Sequence, residues 1–198
     1  MAGRLEQYEI LLGICGGIAA YKAADLCSRL IRERAGVTVA MTDAAQQFVR
    51  PLTFSSLSGR RVYTGLFDAE QVYDAEHIAL THRADLIVVA PATANSLAKL
   101  ATGICDDLLS TLLCGAESDV LLAPAMNQRM WEHPATQDNV KKLQQRGCHL
   151  IGPATGRLAC GDEGVGRLAE PEEILERIVN LLSERQPKRV SIHPEKFG

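Results

Sequence analysis

The 198-residue sequence predicts an α/β chain, in which one open parallel sheet carries helices on both faces. Three observations carry this expectation. Short β-branched or leucine-rich runs alternate with segments of helical period. The runs near the middle of the chain are apolar on both faces, as strands sandwiched between two helical layers must be. The loops that follow the runs are rich in glycine and small hydroxylated residues, the composition of ligand-facing loops at the carboxyl edge of such a sheet.

Ile10-Leu11-Leu12-Gly13-Ile14 reads as the first strand. A helix over 19–34 follows, with Ala23, Leu26, Cys27, Leu30 and Ile31 on one face and Lys22, Arg29, Arg32 and Glu33 on the other. Gly36 is expected to end it. Residues 37–41 form a second strand, 85–90 a third, 119–123 a fourth and 149–151 a shorter fifth. Helices are placed at 95–101, 106–114 and 134–146. Pro171 opens a last helix whose Ile174, Ile178, Leu181 and Leu182 recur at helical spacing. The whole is a single Rossmann-like, flavodoxin-like domain over 1–185, with 186–198 a tail or linker stump.

Composition excludes several classes. With 21 basic and 24 acidic residues and 5% aromatics, nothing marks a nucleic-acid or membrane surface. The amino terminus has no apolar signal core, and no run approaches the roughly 18 apolar residues that span a bilayer. A chain this long buries roughly 70% of its unfolded surface, so it needs no disulfide staples. Its cysteines, at 15, 27, 105, 114, 148 and 160, contain no CxxC pair. No metal site is expected, the thiols are expected to be reduced in a cytoplasmic protein, and a small molecule is the expected partner.

The loops after the strands hold the candidate functional residues. Cys15-Gly16-Gly17-Ile18-Ala19 runs straight into a helix, where bare backbone N–H groups and the helix dipole favour an anion such as phosphate. A tight strand-to-helix turn would use the same glycines, and GxGxxG is not met. Asp43 is placed as a ribose-binding acid would be, while its neighbour Thr42 suits a phosphate or ribityl hydroxyl. Thr93, in Ala92-Thr93-Ala94-Asn95-Ser96, also reads as a helix cap. The loop after the fourth strand, Pro124-Ala125-Met126-Asn127-Gln128-Arg129-Met130-Trp131, gathers the lone tryptophan and two of the four methionines. Asn127 there is also an ordinary turn residue. Cys160 lies among glycines in 158–167, a stretch that reads as a mobile flap with a reactive thiol. The other five cysteines read as core. His77, just before the third strand, is the histidine with a site-like setting; on a surface helix it would be unremarkable.

Together these segments resemble the homo-oligomeric flavin-containing cysteine decarboxylases, over about residues 9–182. The resemblance rests on Gly16-Gly17-Ile18-Ala19-Ala20-Tyr21-Lys22, His77-Ile78, Ala90-Pro91-Ala92-Thr93-Ala94-Asn95, Asp106-Asp107-Leu108-Leu109, the Pro124–Trp131 segment and Ala159-Cys160-Gly161-Asp162. It implies FMN, held by Gly16, Gly17, Ile18 and Thr42 at its phosphate, by Thr93, Ala94, Asn95 and Ser96 along the flavin, and by Ala125 against it. It implies His77 as the active-site base and Cys160 as the proton donor of the reductive half-reaction. Asn127 would hold the substrate carboxylate, with Met130 in the same motif. The substrate would be a small phosphorylated cysteine conjugate, and the assembly a homotrimer or homododecamer.

One departure stands out: five residues after His77, where the family carries Arg or Lys, this chain has His82 followed by Arg83. Either the His82 imidazole or the neighbouring Arg83 guanidinium is therefore expected to make the substrate contact. Two alternatives stand beside the main reading: an oxidative decarboxylase of peptidyl-cysteine, disfavoured by Cys160, and a flavin-binding regulatory subunit without catalysis.

Overall fold

The computed structural model describes residues 3–66, 76–157 and 163–188, with the side chains of 76–78 outside that description. Its central sheet has six parallel strands: β1 (Glu9–Ile14), β2 (Gly36–Met41), β3 (Val62–Tyr63), β4 (Leu86–Ala92), β5 (Asp119–Pro124) and β6 (His149–Leu150). Their order is β3-β2-β1-β4-β5-β6. β1 and β4 therefore sit side by side at the centre while their crossovers run in opposite directions. That reversal opens a crevice beyond the carboxyl ends of the two strands.

Two apolar cores flank the sheet. On one face, β1, β2 and β4 pack against α1 (Ala20–Arg32), α2 (Pro51–Ser58) and α8 (Pro171–Ser183), through Leu26, Leu30, Phe54, Ile174 and Ile178. The other face packs on α3 (Glu76–Arg83), α4 (Ala94–Thr102), α5 (Leu108–Cys114) and α7 (Pro134–Gln145), through Leu80, Leu97, Leu109, Leu112 and Leu143. β4 is buried along its whole length, as the apolar run required. Prolines at the first turns of α2, α7 and α8 fix the entry angle without losing a needed donor.

The structure corrects several boundaries. α1 stops at Arg32, the left-handed Arg34 (φ 64°) makes the turn, and Gly36 is already the first residue of β2 rather than the helix stop. α2 and β3 carry no clear signal in the sequence, because Phe54 is the one fully buried residue of α2 and two residues are too few for strand periodicity to register. The short helix α6 (Gln128–Trp131) is likewise additional to the expected set. The 106–114 helix begins at Leu108, because Asp107 is its cap and forms a capping box with Ser110.

Part of the expected flap is regular structure. β7 (Ala154–Arg157) and β8 (Glu163–Arg167) form a two-stranded antiparallel ribbon, with 158–162 outside the described residues. Cysteine burial also divides differently from expectation. Cys15 and Cys27 are buried and Cys148 is partly buried, but Cys105 and Cys114 are exposed, because Cys105 lies in the α4–α5 connection and Cys114 is the last residue of α5. Lys188, within the expected tail, is tied to the sheet: the buried carboxylate of Asp85 accepts both the Glu9 and Lys188 backbone N–H groups.

Candidate functional site

The crevice between β1 and β4 is a cavity of about 1170 Å³. Single-ligand clefts run to roughly 300–1,000 Å³, so there is room here for a cofactor and a second molecule. Gly16, Gly17, Ile18, Thr42, Thr93, Ala94, Asn95, Ser96, Ala125, Asn127 and Met130 all line it. Residues from four separate loops, distant from one another in the chain, thus meet around one space.

The first wall is the turn from β1 into α1. A Cβ on Gly16 would collide with the Ala44 Cβ and stand 2.7 Å from the Ala44 carbonyl carbon, so only glycine lets this loop lie against the one after β2. Among the described residues, the N–H groups of Gly16, Gly17 and Ile18 meet no backbone or side-chain acceptor. Three such donors at the start of a 13-residue helix fit a phosphate group. Thr42 ties the two loops together: its N–H donates to the Ile14 carbonyl at 3.1 Å and its hydroxyl accepts from the Ala45 N–H at 3.2 Å.

The second wall is the start of α4. Thr93 is the N-cap, its hydroxyl accepting from the Ser96 N–H at 3.3 Å. The capping reading and the cavity-lining reading hold together. The Ser96 hydroxyl also lies 2.9 Å from the buried Cys15 thiol. Burial pushes that thiol up, so it stays protonated and serves as a neutral hydrogen-bonding group.

The third wall carries Asn127. Its side-chain oxygen accepts from the Arg129 N–H at 2.8 Å, which makes it the N-cap of α6. The amide nitrogen of the same side chain is a hydrogen-bond donor. The ribbon lies against this wall: Met126 N–H donates to the Gly166 carbonyl at 2.9 Å.

Charge is unevenly spread around the rim. Lys99 Nζ lies 2.6 Å from both Asp106 and Asp107. Burial works against the Asp107 carboxylate, but its bonds from Lys99 and Ser110 win and hold its pKa below the usual range. At the ribbon end stand Lys22, Arg157 and Arg167. The periodicity of α1 puts Lys22 on an outward face; the docking of α8 and the ribbon brings it to the cavity, and Lys99, Arg157 and Arg167 carry no motif to mark them.

The expected catalytic pair is only partly placed. His77 is the second residue of α3, and its side chain lies outside the described residues; Cys160 lies outside them entirely. His82 does not line the cavity. It sits in the last turn of α3, its Nδ1 2.8 Å from Glu117 Oε2, beside the amino-terminal edge of the sheet, because a helix leading into β4 must end at that edge. Among the described residues no cluster of His, Cys, Asp and Glu could hold a metal ion.

A parallel sheet with a phosphate-ready turn and a two-ligand cavity at its switch point defines a protein that binds a nucleotide-type cofactor beside a substrate. The chain belongs to the flavoprotein family, whose model matches residues 2–183. It is 48% identical over 167 residues to the coenzyme A biosynthesis bifunctional protein CoaBC of Vibrio parahaemolyticus, covering 84% of this chain and 42% of that protein. Its identity to the Bacillus subtilis protein of the same name is 49% over 171 residues, 86% of this chain and 42% of the relative. The chain thus spans about two-fifths of the length of these relatives.

Among solved structures, a PPC decarboxylase mutant complexed with pantothenoylaminoethenethiol aligns with a TM-score of 0.81 at 32% identity, over 91% of this chain and all of that one. The FMN binding protein AtHal3 aligns with a TM-score of 0.78 at 32% identity, with the same coverage of both chains.

Proposed function

We propose that this chain is an FMN-dependent phosphopantothenoylcysteine decarboxylase, converting 4′-phosphopantothenoylcysteine to 4′-phosphopantetheine in coenzyme A biosynthesis. The observation that carries the reading is the convergence of the Gly16–Ile18 turn, the Thr93–Ser96 cap and the Asn127–Met130 segment on one cavity. The names of the relatives, CoaBC and PPC decarboxylase, point the same way.

The residues present fit FMN. Gly16, Gly17 and Ile18 offer three amides to its phosphate, Thr42 braces that loop, and Thr93, Ala94, Asn95, Ser96 and Ala125 border the space for the ring system. When bound, FMN supplies a two-electron store, which a cysteinyl carboxylate needs because it has no electron sink of its own.

The chain's residues do the rest. His77 takes up the proton as the thiol-bearing carbon is oxidised, a task suited to a side chain type that titrates near neutrality. Asn127 orients the carboxylate through neutral hydrogen bonds, so the ionised ground state is not held as tightly as an arginine would hold it. Cys160 gives a proton to carbon when the enethiol left by CO2 loss is reduced, which closes a redox-neutral cycle. His82 has no part in this assignment within one chain.

Assembly as a homotrimer or homododecamer belongs to the same proposal. Ile18, Tyr21, Phe48 and Leu52 are large apolar side chains left exposed around the amino-terminal ends of α1 and α2, a surface suited to burial against a second copy. The free thiols fit a cytoplasmic setting, and among the described residues no helix is long and apolar enough to cross a membrane.

The test is direct. Purified protein should be yellow and should release CO2 from 4′-phosphopantothenoylcysteine but not from a peptide ending in cysteine. A colourless protein, or one that acts on the peptide alone, refutes the proposal.

A further inference from the structure

One polar group in the cavity wall has no part in the chemistry proposed above: the thiol of Cys15, the residue between β1 and the Gly16–Gly17 turn. Cys15 is only 1% exposed, yet it borders the cavity. Its Sγ lies 2.9 Å from Ser96 Oγ, and Ser96 Oγ lies 3.1 Å from Thr93 Oγ1. The Ser96 N–H donates to that same Thr93 oxygen at 3.3 Å. Three side chains from two loops thus form one hydrogen-bonded chain, anchored where the Cys15 N–H donates to the Pro91 carbonyl at 3.2 Å.

The protons of such a chain run in one of two directions. A thiol and two hydroxyls hold three protons, the two contacts between them use two, and one is left at an end. If the chain runs from Thr93 to Cys15, the sulfur, a weak acceptor, takes the Ser96 proton and the S–H is left over at a buried site. Among the described residues the Cys15 thiol has no acceptor besides these hydroxyls, so that direction strands a proton. If it runs from Cys15 to Thr93, the S–H donates to Ser96 Oγ and the Ser96 hydroxyl donates to Thr93 Oγ1. Thr93 Oγ1 then accepts twice, from the Ser96 N–H and the Ser96 hydroxyl, which fills its two lone pairs. What that oxygen has left to offer is a proton.

The second direction is the one that leaves no buried group unpaired. Burial raises the Cys15 pKa against the opposing pull of Ser96 and Thr93, so the S–H proton is present at neutral pH to start the chain. Thr93 is partly exposed and lines the cavity, so a ligand beside it meets a donor.

We propose that Cys15 is a positioning residue for the flavin: acting through Ser96, it fixes the Thr93 hydroxyl as a hydrogen-bond donor toward the ring system. This rests on the FMN reading and deepens it. Two-electron reduction makes the flavin ring more negative, so a fixed donor beside it binds the reduced form more tightly than the oxidised form and raises the reduction potential. Oxidation of the thiol-bearing carbon draws on that potential. Without the thiol both hydroxyls are free to turn, and Thr93 offers a lone pair as readily as a proton.

The experiment measures the two-electron midpoint potential of the flavin-loaded protein and the Kd of the apoprotein for oxidised FMN. Cys15→Ala should lower the potential by about 30 mV, the two-electron equivalent of a tenfold loss of preference for the reduced form, and should weaken oxidised FMN by less than that factor. Cys15→Ser, which puts a hydroxyl in place of the thiol, should recover most of the loss. Thr93→Val should give the same fall as Cys15→Ala, and Thr93→Ser should not. The Cys15→Ala/Thr93→Val double variant should fall no further than either single one, because both remove one donor.

A potential that Cys15→Ala leaves unmoved or raises overturns the assignment. So does an equal fall in Cys15→Ser, or a fall that adds to that of Thr93→Val. A Cys15→Ala protein that takes up no FMN overturns it too, since a residue acting on the preference between two flavin states leaves uptake intact. A parent protein that purifies colourless and takes up no FMN instead refutes the flavin reading itself, and is seen before any variant is made.

Discussion

The Met126 N–H donates to the Gly166 carbonyl at 2.9 Å, and through that bond the loop bearing Asn127 is joined to the ribbon whose sequence carries Cys160. The approach is possible only because residue 166 lacks a side chain: a Cβ there would collide with the Met126 carbonyl oxygen and stand 3.3 Å from its carbon. The roles proposed for Asn127 and Cys160 require a fixed mutual position, and this contact sets the base of the ribbon against α6.

Gly166→Val is therefore expected to break the dock. Forced overpacking costs about 1–3 kcal/mol, so the melting temperature should fall by several degrees. Decarboxylation should fall more than tenfold, to roughly a tenth or below, while flavin absorbance persists. Retained turnover would show that the dock does not position the site.

At the opposite wall, Gly16→Leu drives a side chain into Ala44, whose carbonyl carbon lies 2.7 Å from where the new Cβ would stand and whose own Cβ is nearer still. The amides proposed to hold the cofactor phosphate would be displaced. Purified variant should come out colourless yet folded by circular dichroism; a yellow preparation of normal flavin content would remove Gly16 from the phosphate site.

The two catalytic assignments separate in their products. Cys160→Ser should still release CO2 but accumulate an enethiol lighter than the normal product by two hydrogens, read by mass spectrometry. His77→Asn should stay yellow and release no CO2. Normal product from the first variant, or turnover by the second, would end the respective role.

Asp107 links stability to pH. Its carboxyl is held below the ordinary range in the folded chain, where burial is outweighed by Lys99 and Ser110, so the unfolded chain binds its proton more tightly. The stability it contributes is complete above the ordinary carboxylate pKa and is lost as pH falls through the lower folded value. Asp107→Asn should flatten the acid side of a stability-against-pH curve and leave its neutral-to-acid difference smaller. An unchanged curve would place the acid sensitivity elsewhere, for example at Glu33, whose carboxyl is lowered by Arg4.

Asp85 offers a structural control. Asp85→Ala leaves the Glu9 and Lys188 amides without their shared carboxylate, at a cost of about 1–3 kcal/mol, far from the cavity. Thermal unfolding should shift downward while KM stays unchanged; a changed KM would tie this edge of the sheet to the site.

The sheet and most of its loops are legible in the chain before it folds. β1, β2, β4 and β5 are apolar runs whose parallel direction follows from alternation with helices, and the turns after them announce themselves through glycine, threonine and asparagine at strand ends. Those signals are local, written within a few residues of the groups they describe. The placement of charge is not. Lys22 faces outward by helical period and reaches the cavity only because α8 brings Glu170 beside it. His82 matches a position along the chain, yet the direction of α3 into β4 carries it to the other edge of the sheet. Arg167 joins Lys22 because an antiparallel ribbon folds back over α6. Each depends on where elements distant in sequence come to rest, and packing of that kind leaves no periodic trace in the chain.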